Sequence, residues 1–249
     1  MADLPGAGIL EAWERGSQAS PGERGLIMLA IARPGSAPAD LAAMPVGQRD
    51  TALLHLHRQL FGETVSAETF CPQCNERLEM DFPVSSILVE VPDAAPAPLW
   101  LEQGGYRLAY RLPSAGDLAL LGKMTATGHP AGSSQRLAEY CVQDPGAAGT
   151  GTSHFPPPVW TALEAAITQA VEKYDPQAEI LLELDCPHCH ASWQSHFDIV
   201  VFLWRKLERL ALDLVADIHA LASAYGWSER EILALSPQRR RTYLGMVRP

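Results

Sequence analysis

The stretches that decide the fold are Cys71-Pro72-Gln73-Cys74 and Cys186-Pro187-His188-Cys189, two copies of one cysteine motif. Each copy holds two cysteines separated by two residues. At this spacing one tight turn can direct two sulfur atoms at the same tetrahedral metal ion. Two such turns supply four thiolates, so the sequence predicts one structural Zn²⁺ ion bound by the four cysteines.

The residues that follow the two motifs also match. Leu78 and Trp193 stand four positions after the second cysteine of their motif, and Phe82 and Phe197 stand eight positions after it. Each motif is therefore expected to lead into a similar short strand, and the two form halves of one zinc ribbon with a long insertion between them. A site with four protein ligands has no open position, so we expect no hydrolysis at the metal.

Two other interpretations of the cysteines remain. They could be free or buried thiols without a metal, or one pair could be a thioredoxin-type redox site. The pattern shared by both copies needs a common explanation, which favours the metal. His188 and His190 lie close enough to the second motif to replace a sulfur. With four cysteines present, we expect these histidines to be solvated or to support the ligands.

Composition narrows the class of protein. The chain has 249 residues, 47% of them hydrophobic, enough for one large domain or two small ones. Its formal net charge of −10 argues against nonspecific binding to nucleic acid or to a membrane surface. The cysteine usage suits a reducing compartment, and the fifth cysteine, Cys141, is expected to be a small buried residue. We find no signal peptide and no apolar run of membrane-spanning length, and therefore expect a cytoplasmic protein without a membrane span.

Apolar periodicity predicts an α+β fold, with a small antiparallel zinc-ribbon-like sheet, packed helices and a long C-terminal helix. Helices are predicted over 48–61 and 201–225, and strands over 64–70, 77–82, 106–112 and 180–184. The predicted organisation is an N-terminal arm, 1–44, and a zinc-stapled domain, 45–249. That domain carries an inserted segment at about 93–178 and a helical tail, 201–249. We find no recognisable catalytic motif, and hence expect no enzyme.

Several stretches of the second half resemble a known family, the phage T4-type baseplate proteins of contractile tails and extracellular contractile injection systems. The stretches are 184–189, 197–204, 219–237 and 239–244, and the part from Tyr225-Gly226-Trp227 to Tyr243-Leu244 is the most specific. The resemblance implies a non-enzymatic baseplate component, or a factor that assembles one. Its partners would be baseplate, hub or tube subunits in a multi-copy assembly, so it would move from the cytoplasm into a phage tail or injection particle.

The C-terminal segment is the predicted contact surface, together with the arm 1–44. It carries Arg239, Arg240, Arg241 and Tyr243, and no acidic residue follows Ser236. On an acidic protein such a segment suits an acidic neighbouring subunit.

Two hypotheses from other classes stay open. A zinc-ribbon nucleic-acid-binding protein would need a basic face on the ribbon. The residues around the motifs are instead acidic: Glu76, Glu79, Asp81, Glu183 and Asp185. An enzyme with an unrecognised site would be favoured by a cleft that gathers ionisable groups with perturbed pKa values.

Overall fold

The computed structural model describes residues 6–90, 95–126, 133–144 and 155–247. The chain divides into two compact units, a larger one of Ser20–Val200 and a smaller one of Met1–Ala19 with Val201–Pro249. Helices are mixed with small antiparallel sheets, which confirms the α+β class.

The two helices predicted from apolar periodicity are confirmed. The predicted helix 48–61 is α4 and the predicted helix 201–225 is α8, each extended by two residues at its start. The helices are α1 Gly6–Gly16, α2 Pro21–Ala32, α3 Pro38–Ala43, α4 Val46–Phe61, α5 Ala115–Ala126, α6 Ser133–Cys141, α7 Pro157–Tyr174, α8 Ile199–Tyr225, α9 Glu229–Leu233 and α10 Pro237–Val247. Short 3₁₀ helices span Val84–Ser86 and Pro176–Ala178.

The strands form three separate antiparallel groups. They are β1 Thr64–Phe70, β2 Arg77–Pro83, β3 Leu99–Gln103, β4 Tyr106–Tyr110, β5 Val142–Asp144, β6 Leu181–Asp185 and β7 Ser192–His196. Strands β1 and β2 make one hairpin, β6 and β7 another, and β3-β4-β5 a small sheet. The two cysteine motifs thus lie at the tips of separate hairpins, not in the single sheet that we predicted. Each strand of these hairpins pairs with its neighbour in sequence, so the motifs meet through their turns.

The first 44 residues are not a single arm. They are divided between the two units, and most of them are helical. Helix α2 begins with a capping box, in which Ser20 and Glu23 bind each other's backbone N–H groups, and it buries Met28 and Leu29 completely. A Cβ atom at Gly22 would lie 2.4 Å from the backbone oxygen of Leu118, so α2 packs directly on α5. The apolar residues assigned to an arm therefore belong to a core.

The inserted segment has a core of its own within the larger unit. Leu108 and Tyr110 of β4 pack with Cys141 of α6 and with Trp160 and Leu163 of α7. Cys141 is fully buried, as predicted. This core packs β4, α6 and α7, which all lie between the two cysteine motifs in sequence, against one another.

The smaller unit is organised by α8. Its inward-facing residues, among them Leu214, Ile218 and Leu221, pack with Ile9 and Leu10 of α1, and with α9 and α10. A Cβ atom at Gly16 would lie 2.1 Å from the ring of Trp204, so α1 closely approaches α8. In the part of the chain that the structure describes, no helix is long and apolar enough to cross a membrane.

Candidate metal centre

The predicted convergence of the four cysteines is confirmed. The sulfur atoms of Cys71, Cys74, Cys186 and Cys189 all lie within 4.8 Å of one another. The Sγ atoms of Cys71 and Cys189 are 3.6 Å apart, as are those of Cys74 and Cys186. Metal–sulfur bonds of about 2.3 Å in a tetrahedron place sulfur atoms roughly 3.8 Å apart. The four thiols can therefore hold one metal ion between the two motifs.

A tight turn presents the first pair of sulfurs. The backbone N–H of Cys71 donates to the carbonyl oxygen of Glu76, and the N–H of Asn75 donates to that of Cys71, both at 2.9 Å. Asn75 adopts a left-handed conformation with φ of 59°. Asn tolerates this region better than most residues, because its side chain can bond locally.

The second motif repeats this turn. The N–H of Cys186 donates to Ala191 and the N–H of His190 donates to Cys186, again at 2.9 Å, and His190 has φ of 59°. His190 is therefore the turn residue equivalent to Asn75, and its ring is exposed. His188 is also exposed, and neither histidine belongs to the sulfur cluster. The match between the motifs extends beyond the cysteines to the backbone of the turn.

The ionisation of the thiols favours a cation at their centre. The backbone N–H of Cys74 contributes most to lowering the pKa of Cys71, to about 6. The backbone N–H of Glu76 acts to lower the pKa of Cys74, but burial, followed by hydrogen bonds with the other three thiols, raises it to about 12. The Cys71 thiolate therefore forms most readily, and its contact with Cys74 and Cys189 raises the pKa of both. Four thiolates in this space therefore need a positive charge between them, and a bound metal ion supplies it.

A second set of contacts, which we call the Asp175–Gln177 contact, joins the two ends of the inserted segment. The N–H of Gly47 donates to Oδ2 of Asp175 at 2.7 Å, and the N–H of Val89 donates to Oε1 of Gln177 at 2.7 Å. Nε2 of Gln177 in turn donates to the carbonyl oxygen of Ile87 at 3.0 Å. Both side chains are buried. These contacts correspond to no sequence motif, and they were not predicted from the sequence.

Ionisable groups also gather in a cleft of about 510 Å³ in the larger unit. Its lining includes Arg49, Asp50, Asp175, Glu179 and His196. Burial raises the pKa of Asp50 and of Asp175 to about 6 each. Such a cleft was our criterion for an enzyme, but both carboxylates already have structural partners. Asp50 accepts a 2.7 Å bond from Nε of Arg49, and Asp175 binds the start of α4.

The predicted partner-binding residues do not all face outward. Arg239 and Arg241 are exposed, and Tyr243 is half-buried. Arg240 is also half-buried and lies beside Gly6, and its Nη1 has no hydrogen-bond partner among the described residues. Because α10 packs on α1 and α8, only part of its circumference is free. Partner contacts by Arg239, Arg240, Arg241 and Tyr243 stay a prediction, with Arg239 and Arg241 the more accessible of the three arginines.

The chain was compared with protein-family models, with curated proteins and with solved structures, and none of them matches it.

Proposed function

We propose that the protein is a structural or assembly component of the baseplate of a contractile phage tail or contractile injection system. It acts through protein–protein contacts and not by catalysis. The observation that carries the proposal is the resemblance of the stretch from Tyr225 to Leu244 to the T4-type baseplate family. In this chain the stretch forms the end of α8, a turn, the capped helix α9 and α10, with exposed arginines on the last helix.

We infer that the metal ion is Zn²⁺ and that it is structural. A tetrahedral set of four thiolates can bind Zn²⁺ or iron. Zn²⁺ has no redox chemistry and therefore suits a site whose role is only structural. With four protein ligands the ion has no open position for a substrate, so its role is to hold the two hairpin tips together. Elemental analysis of the purified protein should give one zinc per chain. A Cys141→Ser variant, changed at the cysteine outside the cluster, should keep its zinc.

Nucleic-acid binding by the zinc-ribbon-like part has less support. The exposed residues of the two hairpins include Glu68, Glu79, Asp81, Glu183 and Asp185. The exposed arginine between them, Arg77, already pairs with Glu68 and with Glu79. A surface of this sign repels a phosphate backbone.

Deletion of the gene, followed by electron microscopy of the particles, tests the proposed function. We expect tubes and sheaths without baseplates, or no particles, and restoration of particles by the wild-type gene. Full-length particles that still contract would refute the proposal. Mass spectrometry of purified wild-type particles then separates a permanent component, which is present in them, from an assembly factor, which is absent.

A further inference from the structure

Three aromatic rings meet at one end of the smaller unit. Tyr225 ends α8, Trp227 follows it in the turn, and Tyr243 lies on α10. The rings of Tyr225 and Trp227 are stacked with centroids 4.7 Å apart, and Tyr243 meets Trp227 edge-on at 5.0 Å. Gly226, with φ of 70°, makes the reversal that lays Trp227 back on Tyr225. The rings are therefore fixed in place before any partner arrives.

Helical spacing extends this cluster along α10. Arg239 lies four residues before Tyr243 and Met246 lies three residues after it, so the three share one face of the helix. Met246 is 66% exposed and Tyr225 is 39% exposed. We call the surface formed by Tyr225, Trp227, Arg239, Tyr243 and Met246 the aromatic–arginine surface.

Positive charge on this part of α10 is not neutralised within the described chain. Neither Arg239 nor its exposed neighbour Arg241 forms an ion pair with a described residue. The nearest carboxylates in sequence belong to α9, where Glu231 accepts hydrogen bonds from the backbone and side chain of Ser228. Nε of Arg241 donates to the carbonyl oxygen of Pro237 at 3.3 Å, but no described carboxylate pairs with Arg239 or Arg241. An acidic group of a partner would therefore find two guanidinium groups that lack a carboxylate partner among the described residues.

We propose that the aromatic–arginine surface docks an acidic segment of another protein, one that carries apolar side chains between its carboxylates. Trp, Tyr and Arg dominate the binding energy of protein interfaces, and Met is enriched in them. The ordered rings contribute contact area at little entropic cost. The carboxylates of the segment would pair with Arg239 and Arg241, and its apolar side chains would cover Met246 and Tyr243. In so far as the segment belongs to a neighbouring subunit, this proposal rests on the proposed function.

The same residue types can bind single-stranded nucleic acid, but the arrangement favours protein. Bases stack on free aromatic faces. Here Tyr225 and Trp227 cover one face of each other by stacking, and Tyr243 packs against Trp227 with the two ring planes 84° apart.

Site-specific photo-cross-linking tests the proposal in cells that make the particles. A photoreactive amino acid replaces Met246, and a control replaces Gln194 on the exposed side of β7. We expect the variant at 246, and not the control, to cross-link a peptide of another protein that is rich in Asp or Glu and holds apolar residues. A cross-linked peptide that is basic, that comes from this same chain, or a cross-link to nucleic acid would overturn the proposal, as would no cross-link above the control.

A binding measurement separates this proposal from the proposed function, because it needs no particle. The purified protein is titrated with a short synthetic peptide of alternating Glu and Leu, with the same peptide carrying Lys for Glu, and with a single-stranded oligonucleotide. We expect binding of the Glu–Leu peptide alone. Arg239→Glu should weaken it roughly tenfold, which is about 1.4 kcal/mol, and Met246→Glu should weaken it similarly. The matched control Arg205→Glu, on the exposed side of α8, should not.

Equal binding of the Lys peptide, preference for the oligonucleotide, or an equal effect of Arg205→Glu would overturn the surface assignment even if the baseplate role holds. The converse outcome is a deletion strain that still makes normal particles, while the purified protein binds the Glu–Leu peptide and not the Lys peptide. That pair of results would refute the baseplate role and leave the surface assignment standing.

Discussion

The sulfur cluster and the Asp175–Gln177 contact hold the same two parts of the chain together by different physical means. The first links Cys71 to Cys189, and the second links Gly47 to Asp175. In both connections, most of the inserted segment lies in sequence between the two residues that are joined. The sulfur cluster is half-exposed at Cys74 and Cys189 and needs a cation to bring four thiolates together. The Asp175–Gln177 contact is buried and uses hydrogen bonds that the protein supplies by itself.

The two connections place different requirements on the chain: metal binding requires a particular backbone turn, and the buried contact requires close packing. A metal ion held by both motifs would demand the same turn twice, and the motifs do share backbone hydrogen bonds and a left-handed residue. The buried contact demands close approach instead. A Cβ atom at Gly47 would lie 2.5 Å from Oδ1 of Asp175, so the helix start can meet this carboxylate because residue 47 is a glycine. We expect the larger unit to depend on both, with metal loss the more damaging.

The largest expected effect is that of Cys186→Ser, which should abolish metal binding and destabilise the larger unit by on the order of 5 kcal/mol. Since the proposed ion is shared by both motifs, Cys71→Ser should lose the same metal, and the double variant should be little worse than either single variant. Elemental analysis and urea unfolding measure both quantities. Retention of half the metal in the single variants would show two independent sites and break the comparison. Cys141→Ser serves as the control with full metal content.

Gln177→Leu should destabilise the protein by about 3 kcal/mol, since it removes two hydrogen bonds to backbone groups and leaves those groups without their partners. The metal content should stay at the wild-type value. This variant thereby weakens the Asp175–Gln177 contact without touching the sulfur cluster. Urea unfolding measures the loss of stability, and elemental analysis measures the metal content. A variant that loses both would show that the two connections form one cooperative unit. Gln194→Leu, on an exposed strand position, is the matched control.

Asp175 should make stability depend on pH, by about 2 kcal/mol. Burial, the largest contribution, raises the pKa of Asp175 from 3.8 to about 6, against the opposing N–H of Gly47. Between these values the folded protein binds more protons than the unfolded chain, so this contribution to stability falls as pH rises through the window and stays low above it. Asp175→Asn removes the titration and keeps an oxygen that can accept from Gly47.

The measurement for Asp175→Asn is the difference in unfolding free energy between variant and wild type, at about pH 4.5 and about pH 7.5. Relative to the wild type, the Asn variant should gain stability at the higher pH. Acid release of the metal affects both proteins and cancels in the difference. A pH-independent difference would show that the carboxylate is not penalised by burial. Asp81→Asn, at an exposed position of β2, serves as the matched control.

The smallest effect distinguishes the two motifs from each other. His190→Gly should stabilise the metal-bound protein by about 1 kcal/mol, since glycine adopts a left-handed conformation without steric cost. Asn75→Gly should gain less, because Asn tolerates the same conformation. Thermal unfolding of the metal-bound variants measures both changes. Equal gains, or a loss at residue 190, would mean that the imidazole stabilises its turn in some other way.

Local signals in the sequence predicted much of this structure. The cysteine spacing predicted the sulfur cluster, and apolar periodicity placed α4 and α8 to within two residues of their starts. The contacts of Asp175 and Gln177 could not be predicted, because Gly47, Ile87 and Val89 carry no pattern that names a distant partner. The division into units was missed for a similar reason. The residues that α1 buries against α8 are specified by packing across almost the whole length of the chain.

The contact between Cys71 and Cys189 has a consequence for the unfolded protein as well as for the folded one. With an ion bound by both cysteines, the chain would close into a ring, since 118 residues of sequence separate the two sulfurs. A cross-link that closes a loop of this size lowers the entropy of the disordered chain by the equivalent of about 4.9 kcal/mol in the random-coil treatment. An ion that the thiolates retain during denaturation would thus act as a reversible cross-link in the unfolded chain. Its removal by a chelator would restore the lost chain entropy without breaking a covalent bond of the backbone.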